Sequence, residues 1–173
     1  MLIRREAPAD VAAVRDLTTV AFRRPGSPPD AVPVETPLLD ALRACDQWIP
    51  ALSLVADEAG AVVGHVVCTG AWVAGTPVLA LGPISVRPDR QRQGVGHALI
   101  HTVLGAADAC EAPLVALLGS PHYYPRFGFR RGLDLGIVPP DPAWSEAFQV
   151  RTLSVYDPSL RGDFAYAAPF NEL

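Results

Sequence analysis

Cysteine is scarce in this 173-residue chain, and what there is cannot staple it: Cys45, Cys68 and Cys110 are odd in number, widely spaced and set among apolar neighbours. That pattern predicts reduced, buried thiols and argues against a disulfide framework or a zinc site. Basic residues are also in deficit, 14 against 18 acidic, and they form no stripe of the kind that follows a nucleic-acid backbone. No apolar segment follows the charged start "MLIRREAPAD", which does not read as a secretory signal. Long hydrophobic runs are missing too, since the most apolar region, residues 61–86, is broken by His65, Thr69, four glycines and two prolines. The expectation is a single domain over residues 1–173, cytoplasmic, with neither a membrane nor a nucleic acid as partner.

What is present reads as alternating strands and helices. "LIRREA" suits a short first strand, and Val11, Val14, Leu17, Val20 and Ala21 then recur at helical spacing behind Pro8. Residues 23–37 hold five of the 18 prolines and read as a loop, with "ETPLLDALRAC" giving a second helix. From Ser53 to Val86, turn signals at 57–60 and 75–77 divide an apolar run into three antiparallel strands. Val95, Leu99, Ile100, Val103, Leu104 and Ala107 mark the main helix, and "PLVALLG" is a strand buried on both faces. A tail follows, with strand-like pieces near residues 148–155 and a last segment, "GDFAYAAPFNEL".

Between the third of those strands and the main helix stands "VRPDRQRQGVGHAL", with three arginines and two close glycines. A loop that enters a helix N-terminus presents unpaired N–H groups and the positive end of the helix dipole, which suits phosphate. Gly94 and Gly96 let the backbone come close, and Arg87, Arg90 and Arg92 add charge. A nucleoside-triphosphate loop would need Gly-Lys and then Ser or Thr, whereas His97 follows Gly96. A dinucleotide fingerprint would need a third glycine where Leu99 stands, and a turn directly after the strand.

Gln91-Arg92-Gln93-Gly94-Val95-Gly96, preceded by Val86-Arg87-Pro88, resembles the acetyl-CoA pyrophosphate motif of the GNAT superfamily of acetyltransferases. Tyr124-Pro125-Arg126-Phe127-Gly128-Phe129 resembles that family's second signature, and with Gly162, Tyr166 and Phe170 the likeness is greatest to its YhbS-like branch. The resemblance implies a mixed α/β fold of the GNAT type, a central, mostly antiparallel sheet splayed between strands 4 and 5 and flanked by helices. It implies acetyl-CoA as donor, a primary amine as acceptor, direct transfer, no metal, and homodimers as a frequent arrangement. Members often carry an asparagine at the end of the fifth strand, where this chain has Leu117.

The implied site has three parts. Gly82-Pro83 interrupts its strand, because proline cannot donate to a ladder, and so frees the backbone of Ile84, Ser85 and Val86 to pair with the pantetheine arm. Gln91, Arg92, Gln93, Gly94, Val95 and Gly96 would hold the pyrophosphate. Tyr124 is the candidate general acid for the leaving thiolate, with Tyr123 its competitor. The base stays unassigned among Glu35, His65, His122 and Glu146, because the fourth strand has no carboxylate. His97 and His101 have metal-compatible spacing but no third ligand, and read as a solvated helix face. A non-catalytic acyl-CoA-binding module, or transfer of an acetyl group to oxygen or of a longer acyl chain, are the alternatives.

Overall fold

A computed structural model describes residues 1–28 and 30–172. The elements run β1 (Leu2–Arg5), α1 (Val11–Phe22), α2 (Glu35–Ala44), β2 (Trp48–Glu58), β3 (Ala61–Val73), β4 (Thr76–Val86), α3 (Val95–Ala109), β5 (Leu114–Leu118), β6 (Arg130–Arg131), β7 (Ile137–Val138), β8 (Phe148–Thr152) and β9 (Gly162–Ala165). The expected order holds from β1 to β5 and at β8, with shifted ends, while the short strands β6, β7 and β9 are not among the expected elements. Pro37 lies inside the first turn of α2 instead of closing the preceding loop, a position where a missing N–H costs little. Strand β2 begins at Trp48, ahead of the expected Ser53, and tolerates Pro50 because its pairing with β3 is irregular between Trp48 and Ser53. Pro29, within the proline-rich loop, lies outside the described residues.

The main sheet is ordered β1-β2-β3-β4-β5-β8-β6, with β9 paired to the far end of β3. The β4–β5 and β7–β9 pairs are parallel and the others antiparallel. Alternation along the central strands sends successive side chains to opposite layers. Leu54, Ala56, Val66 and Cys68 meet Val95, Leu99, Ile100 and Val103 of α3. Val55 and Val67 meet Val14 of α1 and Leu39 of α2 on the other face. Each such fully buried aliphatic side chain contributes on the order of 2 kcal/mol, which fixes both helical layers to the sheet.

Two irregularities in β4 set up the site. Val66 faces Ile84 while Cys68 faces Leu81, so Gly82 and Pro83 oppose the single residue Val67 in a bulge. Strand β5 pairs with β4 only at Leu79↔Val115 and Ala80↔Ala116, and the two strands part beyond that point. The remainder of β4 thus has β3 on one side and an opening on the other. No helix among the described residues is long and apolar enough to cross a membrane.

The cysteines require a correction. Cys68 is buried, and burial pushes its thiol well above the ordinary range, but Cys45 is half-buried and Cys110 exposed. Cys110 sits just past the end of α3, where the apolar stripe that buries Val103 and Ala107 has run out. All three are free thiols.

Candidate active site

Hydrogen-bond alternation decides which part of β4 the opening can use. Arg87 donates its N–H to the Val63 carbonyl at 2.9 Å, so residues 87 and 63 form a hydrogen-bonded pair. In an antiparallel ladder such pairs alternate with non-bonded ones. Ser85 opposite His65 is therefore bonded to β3, while Ile84 opposite Val66 and Val86 opposite Gly64 point their N–H and C=O groups away from it. Of the three residues expected at this edge, Ile84 offers both backbone groups to the opening and Val86 its N–H, the Val86 carbonyl accepting from Gln91 Nε2. Ser85 instead turns its hydroxyl to the α1 side, 3.4 Å from Thr18 Oγ1.

The glycine loop meets that edge. A groove of about 580 Å³ is lined by Ile84, Val86, Gln91, Arg92, Gly94, Gly96, His97, Tyr123 and Arg126. Gly94 caps α3 with φ of +88°, a left-handed conformation that strains any residue with a Cβ. Ala98 is the donor that reaches the Gly94 carbonyl, at 3.0 Å, so the N–H groups of Val95, Gly96 and His97 belong to the first turn, which has no helical partner for them. The glutamine side chains brace this loop: Gln91 Nε2 donates to the Val86 carbonyl at 3.1 Å and Gln93 Nε2 to the Asp89 carbonyl at 2.8 Å. Val95 contributes backbone only, its side chain being buried beneath the loop.

The arginines divide in the same way. Arg87 is paired with Asp89 at 2.6 Å, and Arg90 with Glu58 at 2.7 Å. Arg92 has no carboxylate partner among the described residues and lines the groove. Arg126 joins it from the other wall, its guanidinium 4.7 Å from the centre of the Tyr123 ring and its Nε donating to the Tyr123 carbonyl at 2.9 Å. His97 and His101 rest on the Phe127 ring, with centroids 4.6 and 5.3 Å away.

Ile84 is also a wall of a second hollow, a cavity of about 440 Å³ whose other walls include Phe22, Leu38, Trp144, Tyr166 and Phe170. Tyr124 lines this cavity while Tyr123 lines the groove, so the two adjacent tyrosines serve different hollows with rings 5.1 Å apart. Pro125 limits the segment after β5 to one short turn, Tyr124–Phe127, which fixes both rings. Gly119 lets the Tyr124 ring lie against the backbone, since a Cβ there would fall 2.3 Å from Tyr124 Cε2. Burial, together with the neighbouring Tyr123, pushes the Tyr124 phenol up to about 12.

Of the four candidate bases only Glu35, the first residue of α2, lines the cavity. His65 is buried in a network that ties α2 to the sheet. Its Nε2 lies 3.0 Å from Ser53 Oγ and 3.4 Å from Glu6, which Arg43 of α2 meets at 2.7 Å and Ser53 also contacts. Burial holds His65 below the ordinary histidine range, as a neutral ring. His122 is exposed on the turn after β5, and Glu146 is exposed and paired with Arg131 at 3.0 Å.

Residue patterns missed Arg126, Leu118 and Asn171 as wall residues. Arg126 stands two places after Tyr124 in a recognised motif, so its position was readable; Leu118 and Asn171 carry no local signal. Of the aromatics in the tail, Trp144, Tyr166 and Phe170 line the cavity, while Phe148 and Tyr156 pack in the core.

Residues 12–129 match the family model of the GNAT acetyltransferases. The uncharacterized N-acetyltransferase YjhQ of Escherichia coli K12 is 31% identical over 169 residues, covering 93% of this chain and 89% of that one. A crystal structure of a GNAT family acetyltransferase from Brucella melitensis in complex with acetyl-CoA superimposes with a TM-score of 0.78 at 35% identity, covering 98% of this chain and 97% of that one. The crystal structure of YhbS from Escherichia coli in complex with CoA gives a TM-score of 0.87 at 27% identity, with coverage of 98% and 91%.

Proposed function

The chain belongs to the GNAT acetyltransferase family, and on that premise we propose that it moves the acetyl group of acetyl-CoA directly to a primary amine, acting as a single domain in the cytoplasm. One observation carries the reading: the free backbone edge of β4 at Ile84 and Val86 runs into the glycine loop at the N-terminus of α3 within one groove. The relatives crystallised with CoA and acetyl-CoA support the choice of ligand.

In this reading the pantetheine amides extend the sheet by pairing with Ile84 and Val86, as an added strand would. The pyrophosphate lies on the N–H groups of the 91–96 loop, with Arg92 supplying the charge that Arg87 and Arg90 have already committed to carboxylates. An N–H on the β4 edge polarises the thioester carbonyl. The neutral amine attacks that carbon, the C–N bond forms, and the C–S bond breaks as the tetrahedral intermediate collapses. Tyr124, kept protonated by its burial, gives its proton to the departing sulfur.

A non-catalytic acyl-CoA-binding module would have no need of an acid or of a charged group beyond the thioester. The β4 strand lacks a carboxylate, but α2 brings Glu35 into the cavity beside Tyr124, which supports the enzyme. The test is CoA release from acetyl-CoA with a panel of primary amines. The chain contains no lysine, so release reports on the added amine and not on acetylation of the protein's own ε-amines. Saturable turnover is expected; a folded protein that binds acetyl-CoA and turns over no amine would favour the binding module.

A further inference from the structure

The groove accounts for the donor and leaves the 440 Å³ cavity to the acceptor. Its walls come from chain segments far apart in sequence: Phe22 at the end of α1, Leu38 in α2, and Trp144, Tyr166 and Phe170 in the tail. Five aromatic residues, Phe22, Tyr124, Trp144, Tyr166 and Phe170, stand in these walls, and Tyr166 and Phe170 pack with centroids 4.8 Å apart. Among the described residues this lining holds one carboxylate side chain, Glu35, and neither arginine nor histidine. Glu35 has no ion-pair partner among the described residues, whereas most carboxylates near β1, β2 and the glycine loop are paired.

We infer that the acceptor is a small monoamine on an apolar, ring-bearing body, with its ammonium received by Glu35 and its ring by the aromatic walls. This rests on the acetyltransferase reading and deepens it. A single negative charge in an apolar hollow attracts one cation and rejects a neutral isostere. Further charges or hydroxyls on the ligand would lose their water against walls that offer them few partners, which disfavours polyamines, amino sugars and lysine side chains in polar peptides. The hollow is of the size that takes small ligands and not a folded protein surface. Glu35 also stands where the ammonium has to lose a proton before its nitrogen can attack. The net reaction is then ammonium plus acetyl-CoA giving amide, CoA thiol and one proton released to solvent.

The test uses the full chain saturated with CoA and 2-phenylethylamine as the probe, with binding followed by calorimetry. Saturable binding is expected, at least tenfold tighter than that of spermidine, of an acetyl-lysine-free lysine peptide, or of the neutral isostere 2-phenylethanol. Glu35→Gln should weaken 2-phenylethylamine at least tenfold and leave the acetyl-CoA Kd unchanged, the latter serving as the check that the variant folds. Tighter binding of spermidine or the lysine peptide, an equal affinity for 2-phenylethanol, or an unchanged amine Kd in Glu35→Gln would each overturn the assignment. So would absence of 2-phenylethylamine binding in protein that holds CoA. Failure to bind CoA or acetyl-CoA at all would instead strike the acetyltransferase reading itself.

Discussion

Two hollows share Ile84, and they are built in opposite ways. The groove draws most of its wall from one continuous stretch, residues 84–97, and uses backbone N–H and C=O groups set by strand alternation and a helix start. The cavity gathers side chains from the end of α1, α2, the β4 bulge and the tail, and its chemistry depends on which residues those happen to be. Backbone recognition tolerates change in side chains but demands conformation. Side-chain recognition tolerates shifts of the backbone but changes with every substitution. The groove is therefore the part a family can share, and the cavity, proposed above for the acceptor, is the part that can differ between members.

That contrast can be broken most sharply at Gly94. Gly94→Glu places a bulky anion on a left-handed residue at the start of α3, where the free N–H groups converge, and is expected to weaken acetyl-CoA at least a hundredfold. Thermal unfolding should move by only a few degrees, given a conformational cost of about 1–2 kcal/mol. The amine site should survive. Next in size is Tyr124→Phe, expected to lower kcat by about 10–100-fold with the acetyl-CoA Kd unchanged, since a thiol of pKa near 8.5 leaves tolerably without an acid. Gly119→Ala should imitate it in part by displacing the same ring. If Tyr123→Phe has the larger effect on kcat, the division of the two tyrosines between the hollows is wrong.

A smaller effect concerns what holds α2, and Glu35 with it, against the sheet. His65 is held neutral by burial, so below pH 6.5 the unfolded chain takes up a proton that the folded chain refuses, and stability falls as pH falls. Burial by itself would raise the Glu6 carboxyl, but bonds from His65 and Ser53 and the charge of Arg43 hold it below the usual 4.5. Its contribution is present above pH 4.5 and is lost on further acidification. Thermal unfolding should show a decline beginning near pH 6.5, no steeper than about 1.4 kcal/mol per pH unit for the histidine, and His65→Gln should flatten that first stage. Smallest of all, the Tyr166 hydroxyl is buried with no hydrogen-bond partner among the described residues, so Tyr166→Phe should leave the unfolding free energy unchanged or raise it by less than about 1 kcal/mol, read by thermal unfolding.

The same contrast explains how much the sequence disclosed. Strand and helix order followed from periodicity, and the β4 irregularity from a proline that cannot donate to a ladder. The groove was legible because glycine spacing dictates backbone conformation directly. Even there, the alternation that withdraws Ser85 and the bracing role of Gln91 and Gln93 needed the register of β4 against β3. The cavity was not legible: Glu35 and Trp144 are 109 positions apart, and only tertiary packing brings them to one wall. Cys110 was misread because local apolar neighbours do not reveal where a helix ends.

The central claim is that the free edge of β4 receives the donor as an added strand, and amide hydrogen exchange at residues 84–86 with and without saturating acetyl-CoA tests it most directly. The Ile84 and Val86 amides should gain protection while Ser85, already bonded to β3, changes little. Unchanged exchange at Ile84 and Val86 in protein shown to bind acetyl-CoA, or new protection confined to Ser85, would contradict it.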